Sequence, residues 1–414
     1  MDRKRILLIG GNFSPELTGI GKYNGEMIAW LAQHGFECTV ITTYPYYPHW
    51  KLEPPYQKRW FRYSTETRVP EGDGAAYIKV HRCPHYVPKK PSGRNRILLD
   101  LSFAASGFFK VLQLLFTRKN DIVIAVGPPF LLGIHAVVYK WLRGARFLYH
   151  IQDLQIEAAR DLGMIRSPFL LKTLFGVERW IMNRADQISS ISDGMIRKIE
   201  GKTGRPVVLF PNWSNVESFF PITDKAALKT TFGIPPGDKV VLYSGAIGEK
   251  QGLHCIIEAA GTLRDRKEIH FIICGSGPYK ERLQAMASEH GLENVRFLPL
   301  QPQQTFNEFL NLADLHLILQ KAGAGDLVMP SKLTNILAVG GLSLITAEPG
   351  TSLYELVNKH RIGLLAPSED SEALVAAIER ALTLDHADIH RNSRVYAENY
   401  LAIDGILSRY FAAV

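Results

Sequence analysis

Four cysteines in 414 residues leave little room for a disulfide framework, and Cys38, Cys83, Cys255 and Cys274 show no metal-ligand spacing. Cys38, Cys255 and Cys274 lie in or beside apolar runs, where a thiol usually serves as a small buried hydrophobe. A reducing cytoplasm is the compartment expected for such a chain. Clean apolar runs of roughly 20 residues, the length a spanning helix needs, are also missing. The run at 97–116 is interrupted by Asp100 and Lys110, and that at 122–142 by Pro128, Pro129 and Lys140. The opening MDRKRILLIGG holds an apolar core too short for an export signal and reads as a first buried strand. Low-complexity tracts and long repeats are absent. No intact G-x-G-x-x-G follows a strand, which argues against a nicotinamide dehydrogenase, and GKYN lacks the features of a P-loop.

What is present is an alternation of short apolar runs with amphipathic stretches. In the first half, strands are expected at 6–9, 38–42, 78–82, 122–126, 146–150, 187–191 and 207–210. Helices are expected at 21–34, 98–116, 132–143, 170–185 and 193–203. The pattern restarts with strands at 240–244, 270–274, 295–298, 315–319, 342–346 and 363–365, and with helices at 253–263, 279–290, 305–313, 332–339, 352–357 and 371–382. A last long helical pattern covers 388–413. Continuous apolar runs of this length suit parallel strands buried on both faces, and the alternation implies an α/β chain of two doubly wound, Rossmann-like domains. The domains expected are 1–209 and 226–387, joined by the turn-rich linker 210–225, with 388–414 as a terminal helix. Ligands of such sheets bind beyond the carboxyl ends of the strands, here in a shared cleft.

Charge is uneven. Residues 1–200 carry 28 Lys and Arg against 17 Asp and Glu, a net of +11, while residues 201–414 carry 20 against 23, a net of −3. A basic half suits a phosphate-rich partner: nucleic acid, an anionic membrane surface or a lipid diphosphate.

Five loops carry candidate chemistry. In GGNFSPELTGIGKYNGEMIAWLAQHG, Gly19 and Gly21 lie between a strand and a helix, where backbone can approach an anion. YSGAIGEKQGL places Gly245 and Lys250 ahead of a helix start, a geometry suited to a diphosphate. ICGSGPYKERL repeats the arrangement with Gly275 and Gly277, and Pro278 suits the first helical position. GAGDLVMPSKLTNILAVGG gathers Asp326, Lys332 and Asn335 at another helix start, a polar cluster for sugar hydroxyls and phosphate; its plain structural alternative is a helix capped by Ser331. YHIQDLQIEAARDLG puts His150 and Asp153 at the carboxyl end of a strand, facing the cleft.

Together these pieces, with VITTYPYYPHW, ISSISDGM and FPNWSN, resemble a bacterial family-4 glycosyltransferase of GT-B fold. The resemblance is nearest to enzymes that add fucose or N-acetylfucosamine-type sugars in capsule, colanic acid and O-antigen assembly. It runs in the same order across nearly the whole chain. It implies a retaining transfer from a UDP-, GDP- or dTDP-sugar, with no metal and no other cofactor. Lys250 would hold the donor diphosphate, Gly245, Gly275 and Gly277 the nucleotide side, and Gly19 and Gly21 the floor near diphosphate and acceptor. His150 or Asp153 would sit by the reacting sugar, and the terminal helix would cross back to the first domain. The acceptor implied is a lipid-linked saccharide at the inner face of the plasma membrane, with the protein peripheral on anionic lipid and no nucleic acid partner. Two positions depart from the family: Ala246 stands where many members have arginine, and Asn335 where many have glutamate. Lys332 is the candidate to supply the missing cation. A sugar-nucleotide epimerase of the same fold and a non-catalytic nucleotide-sugar-binding subunit remain the alternatives.

Overall fold

The computed structural model describes residues 3–16, 19–52, 54–58, 61–70, 76–89, 92–161, 163–321 and 330–412, leaving aside the side chain of Lys250. The chain divides into two compact units, Met1–Phe210 and Pro211–Val414.

Among the described residues, the first unit holds eight strands: β1 Arg5–Gly10, β2 Glu37–Thr43, β3 Ser64–Arg68, β4 Ile78–Cys83, β5 Ile122–Gly127, β6 Arg146–Ile151, β7 Gln187–Ser190 and β8 Val207–Leu209. They form one sheet in the order β3-β4-β2-β1-β5-β6-β7-β8. Neighbours pair in parallel except β3, which runs antiparallel to β4. The sequence pattern omits β3 because STETR has no apolar run; it is a polar edge strand whose residues alternate between exposed and half-buried. Every residue of β5, IVIAVG, is buried.

The helix Gly93–Leu114 is long and apolar enough to cross a membrane by length and composition. Here it lies on the sheet layer: Leu99, Phe103, Gly107, Val111 and Leu114, spaced one turn apart, form its buried stripe. Ser92 caps it by accepting from the Asn95 N–H at 3.4 Å.

The second unit holds six strands among the described residues, β9 Lys239–Ser244, β10 Ile269–Cys274, β11 Val295–Leu298, β12 Leu315–Ile318, β13 Ser343–Thr346 and β14 Leu364–Ala366. Their order is β11-β10-β9-β12-β13-β14, all parallel. Alternate residues feed two cores. Val241, Tyr243, Phe271, Ile273 and Leu315 face one side, and Val240, Leu242, Ile272, Cys274 and Ile318 the other. Both faces being buried explains why these strands read as unbroken apolar runs.

In each sheet the chain turns outward in opposite directions from one place, beside β1 and β5 in the first unit and β9 and β12 in the second. These are the switch points where a doubly wound sheet offers a crevice. The run 388–413 is not one helix. Helix Ala387–Tyr396 passes through a π turn, Ala397–Leu401, before Ile403–Ala412 begins. The break has a tertiary cause: Ala402 pairs with Ser214, whose N–H donates to the Leu401 carbonyl at 2.8 Å.

Candidate active site

In the second unit the loop after β9 locks onto the loop after β10. Gly245 N–H donates to Cys274 O at 2.9 Å, Ile247 N–H to Ser276 O at 2.9 Å, and Tyr279 N–H to Ile247 O at 3.2 Å. A Cβ on Gly275 would stand 1.9 Å from the Gly245 carbonyl oxygen, and one on Gly277 2.1 Å from that of Ile247. These two glycines are therefore required by backbone meeting backbone, before any ligand is considered. Pro278 is not the first helical residue: the helix begins at Lys280, with Tyr279 at its cap position.

The helix Lys332–Ala338 projects Lys332 back to this junction. Its ammonium lies 3.6 Å from the centre of the Tyr243 ring and 3.5 Å from where a Cβ on Gly245 would be. The residue as a whole is half-buried, but the Nζ atom is shielded from solvent and has no hydrogen-bond partner among the described residues. Burial pulls its pKa down to about 7. The Tyr243 hydroxyl donates to Ala246 O at 2.7 Å, which fixes the ring beneath the ammonium. One turn along, Asn335 Oδ1 accepts from Ser214 Oγ at 2.8 Å. Ser331 stands at the cap position of this helix, but its backbone is helical and its side chain makes no capping bond. Gly245, Gly275, Gly277 and Lys332 thus come together, with Asn335 beside them. Asp326 and the side chain of Lys250 lie outside the described residues. On the same sheet edge a shallow depression, open to solvent, is lined by Gln251, Gly252, Leu319, Gln320 and Thr346 among others.

In the first unit it is a side chain, not backbone, that occupies the space left by a glycine, at Gly21. Gly19 adopts φ +59°. A Cβ on Gly21 would come 2.7 Å from Glu16 Oε2. Glu16 is a buried carboxylate that sequence reasoning passed over. Its Oε1 accepts the N–H groups of Tyr46 and Tyr47 at 2.9 and 3.0 Å, and its Oε2 accepts from Asn12 Nδ2 at 2.8 Å. Burial raises its pKa against those bonds. Arg82, fully buried, donates to Ser14 O at 2.6 Å, Thr43 O at 3.1 Å and Glu66 Oε1 at 3.2 Å. The backbone groups that Glu16 and Arg82 bind are 30 to 68 residues away in sequence, so no local pattern announces them.

His150 is buried near the end of β6. Its Nδ1 is 3.1 Å from Ser189 Oγ, and its ring meets Phe210 edge-on with centroids 4.8 Å apart. Burial pulls its pKa down to about 3, so it is a neutral imidazole at physiological pH. Asp153 is half-buried in the turn after β6. His254, Cys255 and Glu258 bring metal-ligand atoms within 4.8 Å of one another. Burial raises the Cys255 pKa, favouring the thiol over the thiolate a metal would need.

The chain matches the family described as glycosyl transferases group 1 over residues 224–399 and the glycosyl transferase 4-like domain over residues 18–213. It is 42% identical over 415 residues to the colanic acid biosynthesis glycosyl transferase WcaI of Escherichia coli (strain K12), covering 98% of each chain. Its structure is similar to sucrose-phosphate synthase from Thermosynechococcus elongatus, with a TM-score of 0.75 and 18% identity over 100% of both chains. It is also similar to HepE from Anabaena in complex with UDP and glucose, with a TM-score of 0.70 and 15% identity over 99% of both. The protein belongs to the group 1, family-4 glycosyltransferases, with their GT-B fold.

Proposed function

We propose that this chain is a retaining glycosyltransferase of bacterial surface polysaccharide synthesis. It moves a sugar from a nucleoside-diphosphate-sugar to a lipid-linked saccharide at the inner face of the plasma membrane. The observation that carries the donor reading is the Lys332 ammonium, buried beside Gly245 with no acceptor among the described residues. An unpaired buried cation is costly, and a phosphate oxygen would offset that cost. The Lys332 ammonium lies beside Gly245, the residue before Ala246, and so offers a charge next to the position without an arginine. Asn335 Oδ1 is engaged by Ser214, which leaves its amide N–H groups to meet ribose hydroxyls.

In the reaction, the acceptor hydroxyl forms a bond to the anomeric carbon from the face the diphosphate leaves. The bond from that carbon to the phosphate oxygen breaks, and the departing phosphate takes the acceptor proton. Lys250 and Lys332 stabilise the charge that develops on the phosphate. No metal is needed for this charge balance, and the neutral His150 is asked to move no proton. The membrane reading is supported by the basic first half and by the exposed Ile97, Leu98, Leu101 and Phe109 on the helix Gly93–Leu114.

A thermal-shift panel of UDP-, GDP- and dTDP-sugars tests the donor reading: one base should raise the melting temperature, and silence from all three sinks it. Lys250→Ala should lower kcat by roughly 100- to 1,000-fold with an unchanged melting temperature; near-native turnover would remove Lys250 from the mechanism. Flotation with anionic vesicles at low salt tests the membrane reading, which absence of binding overturns.

A further inference from the structure

The loop leaving β2 carries three aromatic rings in five residues: Tyr46, Tyr47 and Trp50. Trp50 packs against both tyrosines, with centroids at 5.6 and 6.2 Å. Tyr46 is buried, whereas Tyr47 and Trp50 are half-buried and keep ring surface exposed. Trp50 has φ +54°, a left-handed conformation that a bulky side chain rarely adopts. Strain of this kind persists only where surrounding contacts impose it, and it concentrates at functional sites. Here Glu16 holds the loop by accepting the N–H groups of Tyr46 and Tyr47, and the Arg96 guanidinium lies 4.9 Å from the Trp50 ring centre. Tyr47 also lies against Gly19, at ordinary contact distance from where its Cβ would be.

Arg96 opens the next piece of chemistry. Arg94 and Arg96 are exposed cations in the first turn of the helix Gly93–Leu114. The residues after them, Ile97, Leu98 and Leu101, are exposed hydrocarbon at 40%, 54% and 48%. From the Trp50 ring through Arg96 into the helix, the order along the chain is aromatic ring, cation, hydrocarbon. A diphosphate lipid bearing a sugar has its parts in the same order: sugar ring, phosphate, hydrocarbon. Aromatic faces suit the C–H side of a sugar ring, a guanidinium suits phosphate oxygens, and exposed aliphatic side chains suit a lipid chain.

We infer that the Trp50 loop and the start of the helix Gly93–Leu114 together form the acceptor subsite. Tyr47 and Trp50 receive the sugar ring, Arg96 the phosphate, and Ile97, Leu98 and Leu101 the hydrocarbon. The inference rests on the lipid-linked acceptor proposed above and assigns its parts to residues.

The test uses the full chain and two kinds of probe. Saturation-transfer NMR with methyl glycosides of glucose, galactose, mannose and fucose reads the aromatic part. Titration with farnesyl diphosphate and with inorganic diphosphate reads the rest. At least one glycoside should take up saturation from the wild type, lose at least five-fold of that signal in Trp50→Ala, and keep it in Trp50→Phe. Farnesyl diphosphate should bind at least ten-fold more tightly than inorganic diphosphate and weaken at least ten-fold in Arg96→Ala. Glycoside signals equal in Trp50→Ala and wild type, or absent from the wild type, overturn the inference. So does farnesyl diphosphate binding that ignores Arg96. Nucleotide-sugar thermal shifts on the same samples keep the two readings apart: shifts that survive in Trp50→Ala and Arg96→Ala show folded, donor-competent protein, and their absence from the wild type would fall on the transferase reading alone.

Discussion

The ammonium of Lys332 sits 3.6 Å from the centre of the Tyr243 ring, with no oxygen accepting from it among the described residues. Burial lowers its pKa to about 7, so half of the free protein lacks this charge near neutrality. A diphosphate favours the charged form and raises the pKa again. Donor binding above pH 7 should therefore take up a proton, and affinity should fall by up to about tenfold per pH unit as pH rises from 7 to the pKa of the bound state. Calorimetry of the preferred nucleoside diphosphate at pH 8, in two buffers of different ionisation enthalpy, measures the uptake. Lys332→Met should remove it and weaken binding by about 1.5–3 kcal/mol, the worth of a charged hydrogen bond. Equal heats in both buffers for the wild type would exclude a titrating Lys332.

Gly277 and Gly176 make a matched pair for a stability experiment. A Cβ at Gly277 meets the Ile247 carbonyl, whereas one at Gly176, inside the helix Pro168–Arg184, meets nothing within 4 Å. Gly277→Ala must displace backbone and should cost roughly 3 kcal/mol, together with donor affinity, because Ile247 precedes the Gly248–Lys250 segment. Gly176→Ala should instead add about 0.5–1 kcal/mol, by helix propensity. Denaturant midpoints check both signs.

The contrast between such glycines shows what could and could not be read from the chain. Buried strands such as IVIAVG are legible because apolarity on both faces needs no partner to recognise it. The polar strand Ser64–Arg68 is not, since only its pairing with β4 makes it a strand. The run 388–413 keeps a helical pattern throughout, yet Ser214, far away in sequence, breaks it at Ala402. The site divides likewise. Glycine loops mark the places where backbones come close, but whether the approaching atom is a ligand or the Ile247 carbonyl depends on the fold. His150 stands at a carboxyl strand end as expected, while its contacts with Ser189 and Phe210 are long-range and it is burial that leaves it neutral. Glu16 was hidden because a carboxylate in a loop looks solvated until its two N–H donors, thirty residues on, are placed.

Asp100 gives the first unit a pH signature. It accepts from Gln155 Nε2 at 2.6 Å, and burial raises its pKa to about 6. An acid whose folded pKa is raised contributes stability that is fully present below the unfolded pKa, about 4, and lost as pH rises through 6. Asp100→Asn keeps an acceptor for Gln155 and removes the titration. The variant should match or fall slightly below the wild type at pH 4.5 and exceed it by about 1–2 kcal/mol at pH 8, after allowing for partial solvent contact. Urea midpoints at the two pH values decide it, and a wild type that stays ahead at pH 8 would contradict the buried-acid reading.

Lys202 ties together the three helices that follow β6. Its ammonium donates to Glu178 Oε2 at 2.7 Å and also pairs with Glu157; both carboxylates are buried. One cation therefore neutralises two acids, on Gln155–Asp161 and Pro168–Arg184, from its own helix Asp193–Thr203. Lys202→Met leaves two buried carboxylates facing each other and should cost about 3–5 kcal/mol at neutral pH. The loss should shrink as pH falls, because burial already raises the Glu178 pKa and its protonation relieves both desolvation and repulsion. It should also shrink in Lys202→Met/Glu157→Gln/Glu178→Gln, where no charge remains. The helix Gln155–Asp161 begins two residues after Asp153, so the single variant should also disturb the turn that carries Asp153. Acid-rescued stability in the single variant and neutral-pH recovery in the triple variant are the paired outcomes; a single variant equally unstable at pH 5 and pH 8 would mean that Lys202 acts through packing against Phe175, 5.3 Å from its ammonium, instead of through charge.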